Sequence, residues 1–413
     1  EPGAEVLLWR VEDGARLRAP TAIYERGAST LNFPQGAEIE LPRARIAAPM
    51  MSAVLEAGEG PVRDIEMSGG VTATSFNLDG SGMGELRAES IAASGDGSGR
   101  WQIEAGTGGP WIRARFVGGE GYLERELTTL VLRGVLGDEG LINLRAESGV
   151  CVREVPAEGS TRWAEAETAR VWFADGQASD VELVQGVLLR GEGIEARGYR
   201  ARMSPQAGLT MLHGEPTGRQ RVLLVSERGR LSCDQAQLFN REGRSEARGN
   251  VQGEIRDVSL VGGGDGVAEG PAHFASDSLD VTEEGAVYKL RGAARVWQGP
   301  RLLLADDVAY RHVGPATIRA AGHVRTTLPA TELGLKSQRD GDVVVVSRSL
   351  DYDEATGSAV YRGNVRYSDP QHTLAAAELS VHFDADNAIR AVEAIGAVEV
   401  VILESGRRMT GQQ

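Results

Sequence analysis

A chain of 413 residues with 54 glycines and only 5% aromatics suits many short strands joined by tight turns and disfavours a large globular enzyme core. Its net charge of −15, without a run of Lys or Arg, argues against a nucleic-acid partner, which would call for a basic face. No stretch reaches the roughly 18 apolar residues that a membrane helix needs. The length allows two or three domains or one extended repeat array. Cys151 and Cys233, the only cysteines, stand 82 positions apart with no CxxC, so buried thiols are as natural as a disulfide.

From the N-terminus, residues 1–60 alternate polar and apolar side chains over short runs (VLLWRVEDG, RLRAPTAIYERG, STLNFPQGAEIELPRARI) broken by Gly and Pro, the pattern of strand and turn. The exception is AAPMMSAVLEAGEG at 47–60, which predicts a helix of about two turns, limited by Pro49 and the glycines. Residues 62–120 return to strands, with SGDGSG at 94–99 a turn too short to link domains. Strands continue over 121–270, and RGNV occurs at 248–251 and again at 362–365. The Gly-rich VGGGDGVAEGP at 261–271 is the predicted joint, since it can redirect a strand stack without strain. Glu1 follows no Met start or signal peptide, which reads as a processed or trimmed product and leaves room for an anchor before it.

Over 272–403 the strands acquire a cadence. A short alternating strand (Leu279, Val281) meets an acidic or Gly turn (283–285), and a second strand ends in a Gly with a Val close behind: Gly292 and Val296, Gly322 and Val324, Gly363 and Val365, Gly396 and Val398. Those glycines recur at intervals of 30, 41 and 33. A period that wanders in this way suits stacked antiparallel hairpins with unequal loops rather than a fixed-length solenoid.

Little in the sequence carries chemistry. The six histidines (213, 273, 312, 323, 372, 382) form neither HxH nor HExxH, so no zinc site is read. Acidic pairs occur at Asp306 with Asp307, Asp277 with Asp280, Asp351 with Asp353 and Asp384 with Asp386. A polysaccharide-cleaving enzyme would need such carboxylates to converge, but placement where strands meet turns favours local backbone bonding. There is no GxSxG, and GGGDG lacks the GK[ST] ending of a phosphate loop. The alternation itself is informative, because a period of two sorts side chains by face. Leu379, Val381 and Phe383 share one face while Glu378, Ser380 and His382 share the other, and Val398, Val400 and Ile402 align likewise. An ordinary sandwich core and a ligand-lining face both fit this pattern.

The units FASDSLDV, YKLRGAARV, LLADDVAY and AAGHV, and again VVSRSLDYDEATGSAVYRGNVRYSDPQHTLAAAELSVHF followed by AIGAV, resemble the OstA/LptA family of lipopolysaccharide-transport proteins. The N-terminal RLRAPTAIYERG and GRWQIEAG are similar to the LptC component. The resemblance implies an all-β fold, an extended stack of antiparallel strands in an open V-shaped β-jellyroll, divided as an LptC-like portion (1–120), OstA/LptA-like middle repeats (121–270) and an OstA/LptA-like β-jellyroll (271–413) cut at a repeat start.

It further implies a periplasmic bridge, tethered to the inner membrane by a segment this chain lacks, that carries lipopolysaccharide between membranes in an apolar groove without catalysis, metal or cofactor. Val281, Val296, Leu304, Val365, Leu379, Val381, Phe383, Val398 and Val400 are the expected groove lining. The implied partners are lipopolysaccharide or related acyl chains, other transport components joined strand edge to strand edge, and a neighbouring copy head to tail. The alternatives are a structural or adhesive β-solenoid with a dry core, and a polysaccharide-active β-helix enzyme.

Overall fold

The computed structural model describes residues 6–9, 16–41, 44–56, 62–76, 83–98, 100–106, 111–119, 122–137, 140–174, 177–256, 270–282, 286–330, 341–384, 389–403 and 407–411. Most of the joint expected at 261–271, the turn expected at 283–285, and Asp386 lie outside them. The described residues contain no α-helix; the chain is all-β and its strand pairs are antiparallel. Two compact units divide it, 1–208 and 209–413.

The helix expected at 47–60 is not formed over its described residues, 47–56, which are mostly strand. Met50–Leu55 pairs with Thr30–Phe33 on one side and Val62–Phe76 on the other. Met51 and Ala53 are buried while Met50 is exposed, so the run MMSAVL is read with period two. Two flanking strands satisfy its backbone, and this tertiary pairing outweighs local helix propensity.

The second unit is a meander in which each long strand pairs with the next: Arg244–Ile255, Ala272–Thr282, Val287–Gln298, Arg301–Arg311, Thr317–Pro329, Asp342–Asp353, Ser358–Ser368 and His372–Phe383. The ladder breaks register within every one of these strands, as between Arg291 and Ala294 or Arg362 and Val365. At each break on alternate strands two consecutive residues adopt left-handed backbone: Gly292 and Ala293 (φ 78° and 46°), Gly322 and His323 (72° and 47°), Gly363 and Asn364 (83° and 55°). Such a bulge turns the pleat over and bends the strand.

At Gly292, Gly322 and Gly363 the recurrent Gly is therefore a corner inside one long strand, not the end of a strand as the sequence suggested, whereas Gly396 does separate two strands, Ile389–Ile395 and Val398–Ile402. A Cβ at Gly292 would fall on the Asp277 carboxylate and one at Gly322 on that of Asp306, so glycine is required both by its φ and by the close approach. This also relocates Asp277 and Asp306, expected near turns, to mid-strand corners, where Asp306 holds His323 Nδ1 at 2.9 Å. Asp353 does sit at a turn and accepts from the Ala355 amide at 2.8 Å.

The first unit repeats the device. Gly69 and Gly70, Ser148 and Gly149, and Gln185 and Gly186 all have positive φ, at register breaks between Ser68 and Val71, Glu147 and Val150, and Val184 and Val187. Here some bent strands are divided: Met83–Gly95 pairs along one side with Trp101–Gly106 and Ile112–Gly119 as separate halves.

Candidate functional site: the apolar interior of the second unit

Because every strand is bent at its corner, the second unit has two walls. One contains Ala272, Phe274, Val296, Leu303, Val324, Val345, Val365 and Ala376 facing inward; the other contains Leu279, Leu290, Val308, Ile318, Leu350, Tyr361, Leu379 and Val381, and all of these are buried. Inward side chains alternate within each half and change parity across the corner on alternate strands, as from Phe274 and Ser276 to Leu279 and from Ala305 to Val308, while the glycine-bearing strands keep it, as from Tyr361 to Val365. Side chains from both walls, Phe274, Val296 and Leu303 against Leu290, Val308 and Ile318, meet around a cavity of about 20 Å³. In this part of the unit large side chains fill the interior.

Of the expected lining residues, Val296, Val365, Leu379, Val381 and Phe383 are inward and buried, and Val281 follows Leu279 on the inward face but is half-buried. Val398 and Val400 are half-buried; Val400 lies opposite Leu374 and, on its other side, Met409. Leu304 does not join them. It alternates with the buried Leu303 and Ala305 and pairs with the exposed Arg295 and Arg325, which puts it on the exterior. The corner after Ala305 shifts the parity that a reading back from Val308 would assume.

Inward residues that the sequence reading missed include Phe274, Tyr288, Tyr310, Tyr352 and Tyr361. Tyr288 and Tyr352 lie two positions from the buried Leu290 and Leu350 within their own half-strands, and Phe274, Tyr310 and Tyr361 two positions from the buried Ala272, Val308 and Ala359, so corner placement was the absent signal. Tyr352 meets Phe383 edge to face at 6.4 Å. Tyr288, Tyr310 and His312 form an aromatic group with centroids 5.7 to 6.5 Å apart. Burial pushes the Tyr361 hydroxyl up to about 12, only partly offset by Thr326, and raises Tyr310 and Tyr288 as well. Burial, followed by the Arg228 charge, lowers His312. These groups stay neutral near pH 7, so the interior presents apolar and aromatic surface without formal charge at those positions.

Toward the C-terminal strands the interior is less covered. Val392 pairs with the buried Val381 yet is 45% exposed, and Met409, opposite Val400, is 54% exposed. The exterior differs in kind: Arg291 meets Asp280 at 2.6 Å, and Arg362 meets Asp351 at 2.7 Å and Glu378 at 3.0 Å. Comparable Arg–Glu ladders cover the first unit, as between Arg133 and both Glu147 and Glu104. Among the described residues no group of three or more His, Cys, Asp or Glu is placed to hold a metal ion. Both cysteines are free thiols, and burial pushes Cys233 up to about 12.

Residues 344–413 match the family model described as LptA/(LptD N-terminal domain) LPS transport protein. No curated protein sequence matches the chain. Among solved structures, LptH from Pseudomonas aeruginosa, described as the LptA homologous periplasmic component of its lipopolysaccharide transport device, aligns at 15% identity and a TM-score of 0.26, over 35% of this chain and 95% of that one. At that TM-score the structural likeness adds no weight of its own.

Proposed function

We propose, from a C-terminal stretch at 344–413 of the LptA/LptD N-terminal kind, that the chain is a periplasmic carrier that holds the acyl chains of lipopolysaccharide between its two apolar walls and hands them on without chemistry. The observation that carries this reading is the continuity of the inward face. It passes from the matched segment into strands upstream of it, Leu350 to Ala320 to Val308 to Leu290 to Leu279, rung by rung. Each methylene taken from water into such a face gains about 0.8 kcal/mol, enough over several chains to offset loss of a bilayer.

Lipid enters, on this reading, where the interior is least covered, beside Val392, Val400 and Met409, and advances by parting the walls. The LptC-like (1–120) and LptA-like portions, the bridge between inner and outer membranes, tethering at the inner membrane, and edge-to-edge joining with other transport components or a second copy belong to the same proposal. Among the described residues Val398–Ile402, expected to end the sheet, is paired on both sides, so the joining edge of this reading is Arg407–Gly411, and proline in place of Met409 there is expected to weaken self-association in light scattering.

Photo-crosslinkers at Val381, Phe383 and Val400 are expected to capture lipopolysaccharide, while those at Glu378 and His382, on the exterior, are not. Equal labelling of the two sets would sink the face assignment. The filled interior around Phe274, Leu303 and Ile318 favours a second reading, a structural sheet with a dry core. Mass spectrometry of the purified protein separates the two: co-purified lipid supports the carrier and its absence the dry core.

A further inference from the structure

The misplaced Leu304 draws attention to the exterior of the wall that carries it. Across successive strands one row on that face reads Ala275, Arg295, Leu304, Arg325, Val346, Arg366, Ala375. Arginines stand on every second strand, roughly 9–10 Å apart from the strand spacing, with a branched aliphatic side chain between each pair. All three are exposed, and Val346 is 39% exposed. The neighbouring row, from His273 to Thr373, contains Trp297 and no carboxylate. Trp297 stacks on His273 at 5.4 Å and has the Arg295 guanidinium over its ring at 4.9 Å.

The contrast with the other exterior wall is one of charge. There Arg291, Arg319 and Arg362 each meet an aspartate or glutamate, whereas Arg325 and Arg366 have no ion pair among the described residues. Carboxylates border the row without entering its span: Glu399, opposite Ala375, is held by Arg408 at 2.6 Å, Glu254 lies opposite His273, and Asp277 and Asp306 lie at the adjoining corner, where Asp306 is held by His323. In a chain of net charge −15, a sheet face with three cations, aliphatic side chains and an indole is complementary to a surface that offers phosphates over an apolar layer.

Guanidinium groups fork onto phosphate oxygens, indole favours the level of lipid head groups, and aliphatic side chains gain only where a hydrocarbon layer lies beneath. We infer that this wall's exterior docks on the anionic phospholipid head groups of a membrane surface. The acidity of the rest of the chain would then orient the protein, since repulsion opposes every other approach. This inference stands on the exterior row and does not depend on the interior holding lipid.

The full chain is tested by flotation with phosphatidylcholine vesicles, with and without phosphatidylglycerol, at low and physiological salt. Binding is expected only with phosphatidylglycerol and should weaken as salt rises. Arg325→Gln is expected to weaken it about fivefold, and the triple change Arg295→Gln, Arg325→Gln, Arg366→Gln about a hundredfold, from roughly a fivefold gain per arginine at an anionic surface. Arg319→Gln on the opposite exterior should leave it unchanged.

Equal flotation with both vesicle types, unimpaired binding by the triple variant, or equal loss from Arg319→Gln would each overturn the proposal. Binding to polyglutamate but not to vesicles would assign the stripe to an acidic protein and overturn it too. Lipopolysaccharide crosslinking at Phe383, measured in the triple variant, reports on the interior separately, and a melting curve confirms that the variant is folded.

Discussion

At Gly292 and Gly322 a side chain meets two obstacles, a left-handed φ and an aspartate carboxylate already in its place. Gly299, with φ 55° and open space around it, faces only the first. Urea titration should separate the terms: Gly299→Ala costs about 1 kcal/mol, the left-handed penalty, whereas Gly292→Ala and Gly322→Ala cost more, in the range of about 1–3 kcal/mol for backbone strain with the clash added. Equal losses at the three positions would show that Asp277 and Asp306 yield freely. Tyr361 offers a test of the interior by pH. Its hydroxyl is held protonated to about 12 in the fold against 10.0 when exposed, so its contribution is complete below pH 10 and is lost as pH rises from there toward 12. The melting temperature is expected to fall over that window, and Tyr361→Phe should make the fall shallower.

Bent strands as elements must keep two registers at once, one on each side of a corner, because a slip of one residue turns a half-strand's apolar set outward. Leu379 shows what the inward register is worth. It is fully buried between Tyr361 and Ala394, and Leu379→Ala is expected to cost about 2–5 kcal/mol in denaturant titration. Phe383→Asp should weaken lipid transfer, and a melting curve must accompany it, since an unpaired buried carboxylate costs several kcal/mol in its own right. Leu304→Ala, on the exterior, should fall well short of the Leu379 loss.

For the molecule as a whole, the two units differ in what fills them. Both bury alanines, but in the first they make up more than half of the described buried apolar side chains, beside Phe33, Ile112 and Leu183, whereas in the second larger ones such as Phe274, Leu279, Leu290, Ile318, Leu350 and Tyr361 predominate. Apolar area removed from water scales with side-chain size. Calorimetry is therefore expected to resolve two transitions, and Leu379→Ala should move only the upper one. A single transition that shifts as one body would contradict this assignment of the lower stability to the first unit.

The sequence by itself determined most of the strands, their period of two, the inward set Leu379, Val381 and Phe383, and the glycine cadence, because these depend on local backbone chemistry and side-chain alternation. It also carried the lipopolysaccharide-transport resemblance that the family match at 344–413 supports. It did not determine what the cadence was for. Whether Gly322 ends a strand or bends one depends on strands 301–311 and 342–353 continuing alongside it past the glycine, a long-range pairing no local pattern encodes. The same pairing decided that MMSAVL at 50–55 is strand, since partners on both sides supply the hydrogen bonds that a helix would have made internally. It also decided that Leu304 faces outward, because parity is counted from a corner and the corner's place is set by the neighbouring strand.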